Sequence, residues 1–231
     1  MSRLLSELQR LYSPPADANG PPGTVRALVL ELARPADWDV LSRVWYGVQA
    51  DLELPAPAIA VSGTDGLQLW FSLQQPAASG DGAAFLAGLQ ARYLADVAPA
   101  RVRLMPPTNA LPVPAEQPST GNWSAFIAPD LAPVFVDTPW LDIQPGAEGQ
   151  ADLLAKLQGI KPAAWAAALQ RLAQAASAAP EVPAATPALH GTADIDPRRF
   201  LQRVLNDETA PLALRVDAAK ALLGHPARRD G

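Results

Sequence analysis

Four polar residues in the first half of the chain have types and positions that could support phosphate or metal chemistry. Glu31 lies near the end of TVRALVLELA, Gln68 lies inside LQLWFSL, and Arg101 and Arg103 lie in RVRLM. A carboxylate can bind a divalent cation, and an amide or a guanidinium can hydrogen-bond phosphate oxygens. Each residue also has a structural alternative. Glu31 fits a strand end that faces water, Gln68 fits the solvent side of an alternating strand, and both arginines fit ion pairs.

The segment SGTDG, from Ser62 to Gly66, separates the apolar runs PAIAV and LQLWFSL. Serine, aspartate and glycine favour tight turns, so the segment predicts a hairpin between two strands. Asp51 and Glu53 in QADLELP form a pair of carboxylates that resembles a catalytic pair. Their place at a helix end before a proline instead predicts a solvated connection.

The composition excludes some kinds of catalytic and binding site and disfavours others. The 231 residues are 49% apolar and suit one medium domain, with room for a small appendage. The chain has no cysteine, which excludes disulfides and thiolate chemistry, and its two histidines, His190 and His225, disfavour a catalytic triad or a histidine-rich metal site. The net charge of −5 argues against strong nonspecific nucleic-acid binding. Without an apolar run of about 18 residues or a signal-peptide pattern, we expect no membrane association and a cytoplasmic location.

The spacing of apolar residues predicts the order of elements in the first half. A helix over 2–12 precedes a turn-rich connector, and a strand over 24–33 precedes a helix capped near Asp37. The strands PAIAVSG and LQLWFSL, a helix in SGDGAAFLAGLQARYLADV and the strand RVRLM, on which Arg101 and Arg103 share one side, complete the series. The order β-α-β-β-α-β predicts an α+β fold of the ferredoxin-like or RNA-recognition-motif type, a four-stranded sheet with two helices on one face.

The second half predicts additions to this sheet and a separate tail. NWSAFIAP predicts another strand, VFVDTPWLD a strand or extended edge, and 148–157 and 162–176 two helices. An alanine- and proline-rich stretch predicts a flexible linker, and the residues after it predict a helical hairpin. The expected divisions are a helix and connector over 1–23, the α+β domain over 24–176, the linker over 177–196 and the hairpin tail over 197–231. Trp70 and Phe71 fall on opposite sheet faces, so only one of them could stack on a base.

A strand ending in an acidic residue, an amphipathic helix and then ELPAPAIAVSGTDGLQLWFSL together resemble the archaeo-eukaryotic primase superfamily, especially plasmid replication primases and primase-polymerases. The similarity covers roughly Val25 to Asn109. RVRLMPPTNA resembles the Arg-Leu-Pro-Gly-Thr-x-Asn segment of many plasmid-type members. The resemblance implies a primase-like sheet and nucleotide or single-stranded nucleic-acid binding. The residues it implies for that binding are Ser62, Gly63, Gln68, Arg101, Arg103, Thr108 and Asn109.

The chain departs from this family where catalysis occurs. The family has two acidic residues at the end of its first strand, whereas Glu31 is followed by Leu32 and Ala33. The family has a histidine where this chain has Gln68, and Asp96 stands for the later metal ligand. The resemblance thus implies Glu31, Asp96 and Gln68 as remnants of a catalytic set, with Glu31 and Asp96 holding Mg²⁺ or Mn²⁺ if activity is retained. A single carboxylate holds magnesium poorly, so we expect a primase-like fold that has lost polymerisation.

The tail carries a second resemblance. DPRRFLQRVLNDETAPLALRVDAAKALLGH is similar to a helical segment of phage proteins, including small terminase subunits. The matching residues are Asp196, Pro197, Phe200, Leu201, Asn206, Asp207, Arg215, Ala218, Ala219, Lys220 and Ala221. The resemblance implies a phage or mobile-element context and a docking hairpin. The candidate partner-binding residues are Phe200, Leu201, Val204, Leu205 and Arg215, and the alternative is an ordinary two-helix cap.

Three functions are compatible with these observations. The first is a catalytically degenerate primase-like module that binds nucleotide or single-stranded nucleic acid and recruits a partner through its tail. The second is a protein-protein interaction adaptor without nucleic-acid binding, which the acidic charge and missing ligands favour. The third is an active nucleotidyltransferase whose metal ligands are Glu31, Asp96 and Asp137.

Overall fold

The computed structural model describes residues 2–13, 23–105 and 113–178. The chain divides into two units, Met1–Pro180 and Glu181–Gly231, and every described residue belongs to the first. The expected hairpin tail and nearly all of the expected linker therefore lie outside the described residues. The candidate residues that lie outside them are Thr108, Asn109, Phe200, Leu201, Val204, Leu205 and Arg215.

The described residues form an α+β fold around one five-stranded antiparallel sheet, which confirms the α+β class. The strands are β1 (Thr24–Ala33), β2 (Ala58–Val61), β3 (Gly66–Ala78), β4 (Val102–Met105) and β5 (Ala125–Ile127). Their spatial order is β4-β1-β3-β2-β5, with every neighbouring pair antiparallel. The first four strands and the helices between them are compatible with a ferredoxin-like fold.

Five helices accompany the sheet in the described part of the chain. They are α1 (Arg3–Tyr12), α2 (Trp38–Ala50), α3 (Ser79–Tyr93), α4 (Ala147–Ala155) and α5 (Pro162–Ala178). The predicted cap of α2 is confirmed, since the Asp37 side chain accepts a hydrogen bond of 3.1 Å from the backbone N–H of Val40. None of the described helices is long and apolar enough to cross a membrane.

VFVDTPWLD was expected to form a strand or an extended edge, and it forms no strand. Its extended part is found at Leu141, which makes an antiparallel bridge with Trp123. Before that bridge, residues Ala132–Phe135 make a 3-10 turn with a proline near its start. Proline lacks a backbone N–H and cannot donate to a strand ladder, which favours the turn over a continued strand. The neighbouring prediction in NWSAFIAP is confirmed by β5, which is only three residues long.

Both faces of the sheet are covered, which corrects the expectation of helices on one face alone. On the first face, Leu28, Leu30 and Leu32 of β1 pack in a core cluster with residues of α2, α3 and α5. On the second face, Val29 and Trp70 pack in another cluster with Leu11 of α1 and Leu154 of α4. The opposite placement of Trp70 and Phe71 is confirmed, because the two residues belong to different clusters.

A glutamine from α4 closes the outer edge of β5. The Gln150 side chain accepts a hydrogen bond of 2.8 Å from the Phe126 N–H and donates one of 2.9 Å to the Phe126 carbonyl. The amide therefore satisfies both backbone groups of Phe126, as a neighbouring strand would. This protects an edge that would otherwise be a template for pairing.

Candidate functional site: a polar row across the sheet

Strand register brings three of the candidate residues side by side. Glu31 of β1 pairs with Gln68 of β3 on one side and with Arg103 of β4 on the other. Because side chains alternate along a strand, all three lie on the second face of the sheet, the face that also carries Trp70. We call Arg103, Glu31 and Gln68 the polar row.

The polar row is joined by hydrogen bonds between its own side chains. Gln68 Nε2 donates to Glu31 Oε2 at 2.7 Å, and Arg103 Nη1 donates to Glu31 Oε1. Trp70 Nε1 in turn donates to Gln68 Oε1 at 2.8 Å. Each oxygen of the Glu31 carboxylate therefore accepts a hydrogen bond, and the Gln68 amide uses both of its ends.

Burial overturns the water-facing alternatives for two of these residues. Glu31 is 3% exposed and Gln68 is 4% exposed. A buried carboxylate needs a cation or several donors, and Glu31 receives both from Arg103 and Gln68. Glu31 is therefore not a strand end in water, and Gln68 is not a surface position.

The outer end of the polar row reaches the surface at Arg103. Its two Nη atoms lie 3.2 and 3.3 Å from the two oxygens of Asp65, and Arg34 contributes a further pair to Asp65 at 3.4 Å. Partial burial pulls the pKa of Arg103 down, but hydrogen bonds and charges of Asp65 and Glu31 outweigh it, so the pKa lies above its ordinary value. The ion-pair interpretation of Arg103 is confirmed.

The SGTDG segment is a hairpin turn that is closed by its own serine. Ser62 Oγ accepts hydrogen bonds from the backbone N–H groups of Thr64 at 3.1 Å and Gly66 at 3.0 Å. Gly63 has φ of +81°, which favours glycine. At Gly66, an added Cβ would lie 2.9 Å from both Cγ and Oε1 of Glu31. The candidate residues Ser62 and Gly63 thus shape the turn, and Gly66 leaves room for the buried carboxylate.

Arg101 takes a different position from the one predicted. It ends a 3-10 turn over Pro99–Arg101, and β4 begins one residue later. Its guanidinium donates to the backbone carbonyls of Ala33 at 3.4 Å and Pro35 at 2.7 Å. Arg101 therefore ties the end of β1 to the start of β4, and it does not share the strand face of Arg103 as the period of two had indicated.

The proposed metal ligands are not brought together. Asp96 pairs with Arg43 at 2.8 Å, and this pairing holds the pKa of Asp96 below its ordinary value. Asp137 is exposed in the segment after β5. The described residues contain no group of three or more histidine, cysteine, aspartate or glutamate side chains placed to hold a metal ion. With both Glu31 oxygens already hydrogen-bonded, the residues present do not fit a Mg²⁺ or Mn²⁺ site.

Two members of the network were missed by sequence reasoning. Asp65 appeared only as a turn residue, and Trp70 appeared only as a candidate for base stacking. A signal was present for Trp70, because it lies two residues after Gln68 and so shares its sheet face. No comparable signal pairs Asp65 with Arg103, which lies 38 positions further along the chain.

No family model matches this chain, and no curated protein matches it.

Proposed function

We propose that this chain is a non-catalytic protein-interaction adaptor, built on a primase-like sheet of the ferredoxin or RNA-recognition-motif type. In this proposal the polar row descends from a nucleotide-handling site and now stabilises the fold. The element order β-α-β-β-α-β and the strand order β4-β1-β3-β2 support the ancestry. The tail, with its similarity to phage helical segments, is the proposed docking element for a protein partner.

The observation on which the proposal rests is the internal use of the polar row. A metal-dependent nucleotidyl transfer needs carboxylate oxygens free to bind metal ions. Both oxygens of Glu31 instead accept hydrogen bonds from Gln68 and Arg103, and the residue is buried. Gln68, at the position where the primase resemblance has a histidine, is held by Glu31 and Trp70 and has no free polar end.

An aromatic side chain of the protein also occupies the place where a base would stack. An RNA-recognition motif binds bases on aromatic residues of its open sheet face. Here Tyr12 of α1 lies over the second face, with its ring centroid 5.3 Å from that of Trp70 and 6.0 Å from that of Phe126. The Tyr12 and Phe126 rings are inclined by only 11°. Since α1 and α4 cover this face, a nucleic-acid strand would have to displace them.

The charges of the described residues support the same proposal. Seven of the nine arginines in residues 2–13, 23–105 and 113–178 form ion pairs with carboxylates, all except Arg26 and Arg101. Nonspecific nucleic-acid binding depends on cations that are free to replace counterions along the phosphate backbone. Paired arginines on an acidic chain offer little of that free charge.

The first experiment tests the nucleic-acid alternative directly. The full-length protein is titrated with labelled single-stranded DNA and, separately, with a nucleoside triphosphate plus manganese, at two salt concentrations. We expect no saturable binding at tens of micromolar protein that depends on Arg101 or Arg103. Saturable, salt-sensitive binding that Arg101→Ala and Arg103→Ala weaken, and that Arg43→Ala leaves intact, would replace the adaptor proposal with the nucleic-acid one.

The second experiment tests the adaptor itself. Leu201→Asp and Leu205→Asp place charges on the predicted apolar side of the tail, and Gln202→Asp is the matched control on a polar position. Proteins that co-purify with the wild-type chain from its host are isolated and tested individually for binding. We expect one of them to bind the wild type and the Gln202→Asp control equally, and to bind the two leucine variants more weakly. Equal binding by all variants would contradict a docking role for the tail.

A further inference from the structure

The start of β1 contains an arginine opposite a large bulge in β3. Val25 pairs with Ala77 and Ala27 pairs with Ser72, so residues 73–76 of β3 lie opposite Arg26 alone. The bulged segment turns to a different partner, since Ser72 accepts from the Ile160 N–H at 2.7 Å and Gln74 donates to the Ile160 carbonyl at 2.9 Å. Bulges of this kind re-aim side chains and are common beside functional sites.

The hydrogen-bond partners of Arg26 are backbone carbonyls. Its Nε donates to the Leu73 carbonyl at 3.1 Å, its Nη1 to the Ser13 carbonyl and its Nη2 to the Arg10 carbonyl at 2.7 Å. Within the described part of the chain, Arg26 forms no ion pair. Carbonyl dipoles satisfy the N–H groups but do not cancel the positive charge, and partial burial lowers the pKa of Arg26.

A second arginine lies beside the first. Arg10 donates from Nη1 to the Leu157 carbonyl at 3.1 Å and from Nη2 to the Leu154 carbonyl at 2.9 Å, and its Nε pairs with Glu7 at 2.7 Å. A guanidinium carries five N–H groups, and these contacts use three on each arginine. The contacts with described residues therefore leave two N–H groups on each side chain for another acceptor.

Both arginines line one open polar cavity of about 290 Å³. Its lining residues are Arg10, Arg26, Ser72, Gln74, Gln158 and Gly159. The two glutamines are exposed and can turn an amide N–H toward the cavity. Among the described residues, one carboxylate, Glu7, accompanies these two guanidinium groups, so the described surroundings of the cavity keep an excess of positive charge.

We propose that this cavity is a binding site for a phosphate dianion, either free or as the terminal group of a phosphomonoester. Arginine forks match phosphate oxygens in geometry, and the four remaining N–H groups can take two or more of those oxygens. The site lies at the start of β1, whereas Glu31 of the polar row lies near its end. It is independent of the adaptor function proposed above.

Calorimetric titration of the full-length protein with inorganic phosphate and with phenyl phosphate tests this site, with chloride at equal ionic strength as the reference. We expect saturable binding that Arg26→Gln weakens by at least about tenfold, the effect of losing one charge-assisted hydrogen bond. Arg43→Gln, which removes an exposed arginine paired with Asp96, is the matched control and should leave the affinity unchanged. Tighter or equal binding of phenyl phosphate would identify a monoester as the ligand, and binding of inorganic phosphate alone would identify the free ion.

A second variant separates loss of the site from damage to the fold. Gln74→Glu adds a negative charge at an exposed position in the lining and leaves the contacts of Arg26 with α1 in place. We expect it to weaken phosphate binding by at least about tenfold through like-charge repulsion, while its circular dichroism and melting temperature match those of the wild type. No saturable binding to the wild type, or equal affinity in the wild type, Arg26→Gln and Gln74→Glu, would overturn the proposal.

Discussion

The two ends of β1 each hold an arginine, and they hold it by different chemistry. Near the end of the strand, the guanidinium of Arg103 on β4 forms ion pairs with the carboxylates of Glu31 and Asp65. Near the start, Arg26 donates to three backbone carbonyls. Each guanidinium group makes three hydrogen bonds with described residues. Within the described part of the chain, the positive charge of Arg103 is matched by carboxylates and that of Arg26 is not.

This difference separates a structural network from a candidate binding site. In the polar row, cation, carboxylate, amide and indole satisfy one another, and the described residues contain no buried side-chain nitrogen or oxygen without a partner. A ligand would have to break those bonds to enter. The Arg26 cavity has N–H groups and positive charge that its contacts with the described residues do not neutralise, which is why we propose that an anion binds there.

The largest expected effect is that of removing the buried carboxylate. Glu31→Ala leaves Gln68 Nε2 without an acceptor, opens a cavity and leaves Arg103 with Asp65 alone. Breaking a buried ion pair on one side typically costs about 3–5 kcal/mol, and because the Arg103 side chain is partly exposed we expect about 2–4 kcal/mol. Chemical denaturation of the full-length protein measures it. Asp96→Ala, in an exposed pair, is the control, and a similar small change in both variants would mean that the polar row does not stabilise the fold.

The next effect concerns the other end of the strand. Arg26→Gln removes donors from the carbonyls of Arg10, Ser13 and Leu73, and we expect a loss of about 1–2 kcal/mol. Added phosphate should sharpen the contrast, because a ligand present at about 100 times its Kd stabilises a protein by about 2.7 kcal/mol. Thermal unfolding in phosphate and in chloride should therefore differ more for the wild type and for Glu31→Ala than for Arg26→Gln, where a tenfold weaker site gives about 1.4 kcal/mol at the same phosphate concentration. A phosphate effect of equal size in Arg26→Gln would contradict the contrast between the two ends.

A smaller effect tests the inner end of the polar row. Trp70→Phe keeps an aromatic ring in the second core but removes the N–H that donates to Gln68 Oε1. We expect a loss of about 1–2 kcal/mol from the unsatisfied amide oxygen and the smaller ring. In the double variant with Gln68→Leu the two losses should be less than additive, since the second change removes the orphaned group. Strict additivity would mean that the hydrogen bond does not couple the two side chains.

The smallest effect at neutral pH comes from a third arrangement, in which Asp51 accepts from both Arg92 and the Tyr93 hydroxyl at 3.0 Å. Burial, followed by the hydrogen bond to Asp51, raises the pKa of Tyr93 from 10.0 to about 12. Since the folded state favours the protonated phenol, this contribution to stability is full below pH 10 and is lost as the pH rises from 10 to about 12. Denaturation across that range should give a shallower pH dependence for Tyr93→Phe than for the wild type. An unchanged slope would show that ionisation of the Tyr93 hydroxyl does not contribute to the pH dependence of the free energy of unfolding.

Several features of the fold could be predicted because they depend on neighbouring residues. The apolar spacing of α2 and α3, the Asp37 cap and the SGTDG turn are local patterns, and each forms within a few residues of its predicted position. The strand β5 was predicted, but its length of three residues was not, and neither was the 3-10 turn at Ala132–Phe135. A three-residue strand has too few side chains to establish a period, and its existence depends on β2 and Gln150.

The sequence by itself determined the α+β class, the order of the first elements and the identity of the unusual polar residues. Only the tertiary structure decided what those residues do. Glu31 meets Gln68 from 37 positions away and Arg103 from 72 positions away, and α1 and α4 then cover the second face. Arg26 lies in the same apolar run as Glu31 and was not predicted as a site residue, because its cavity exists only where β3 bulges and α1 ends. The spacing of apolar residues indicates which side chains prefer burial. The partners of a buried polar group depend instead on long-range strand register and on the elements that pack over the sheet.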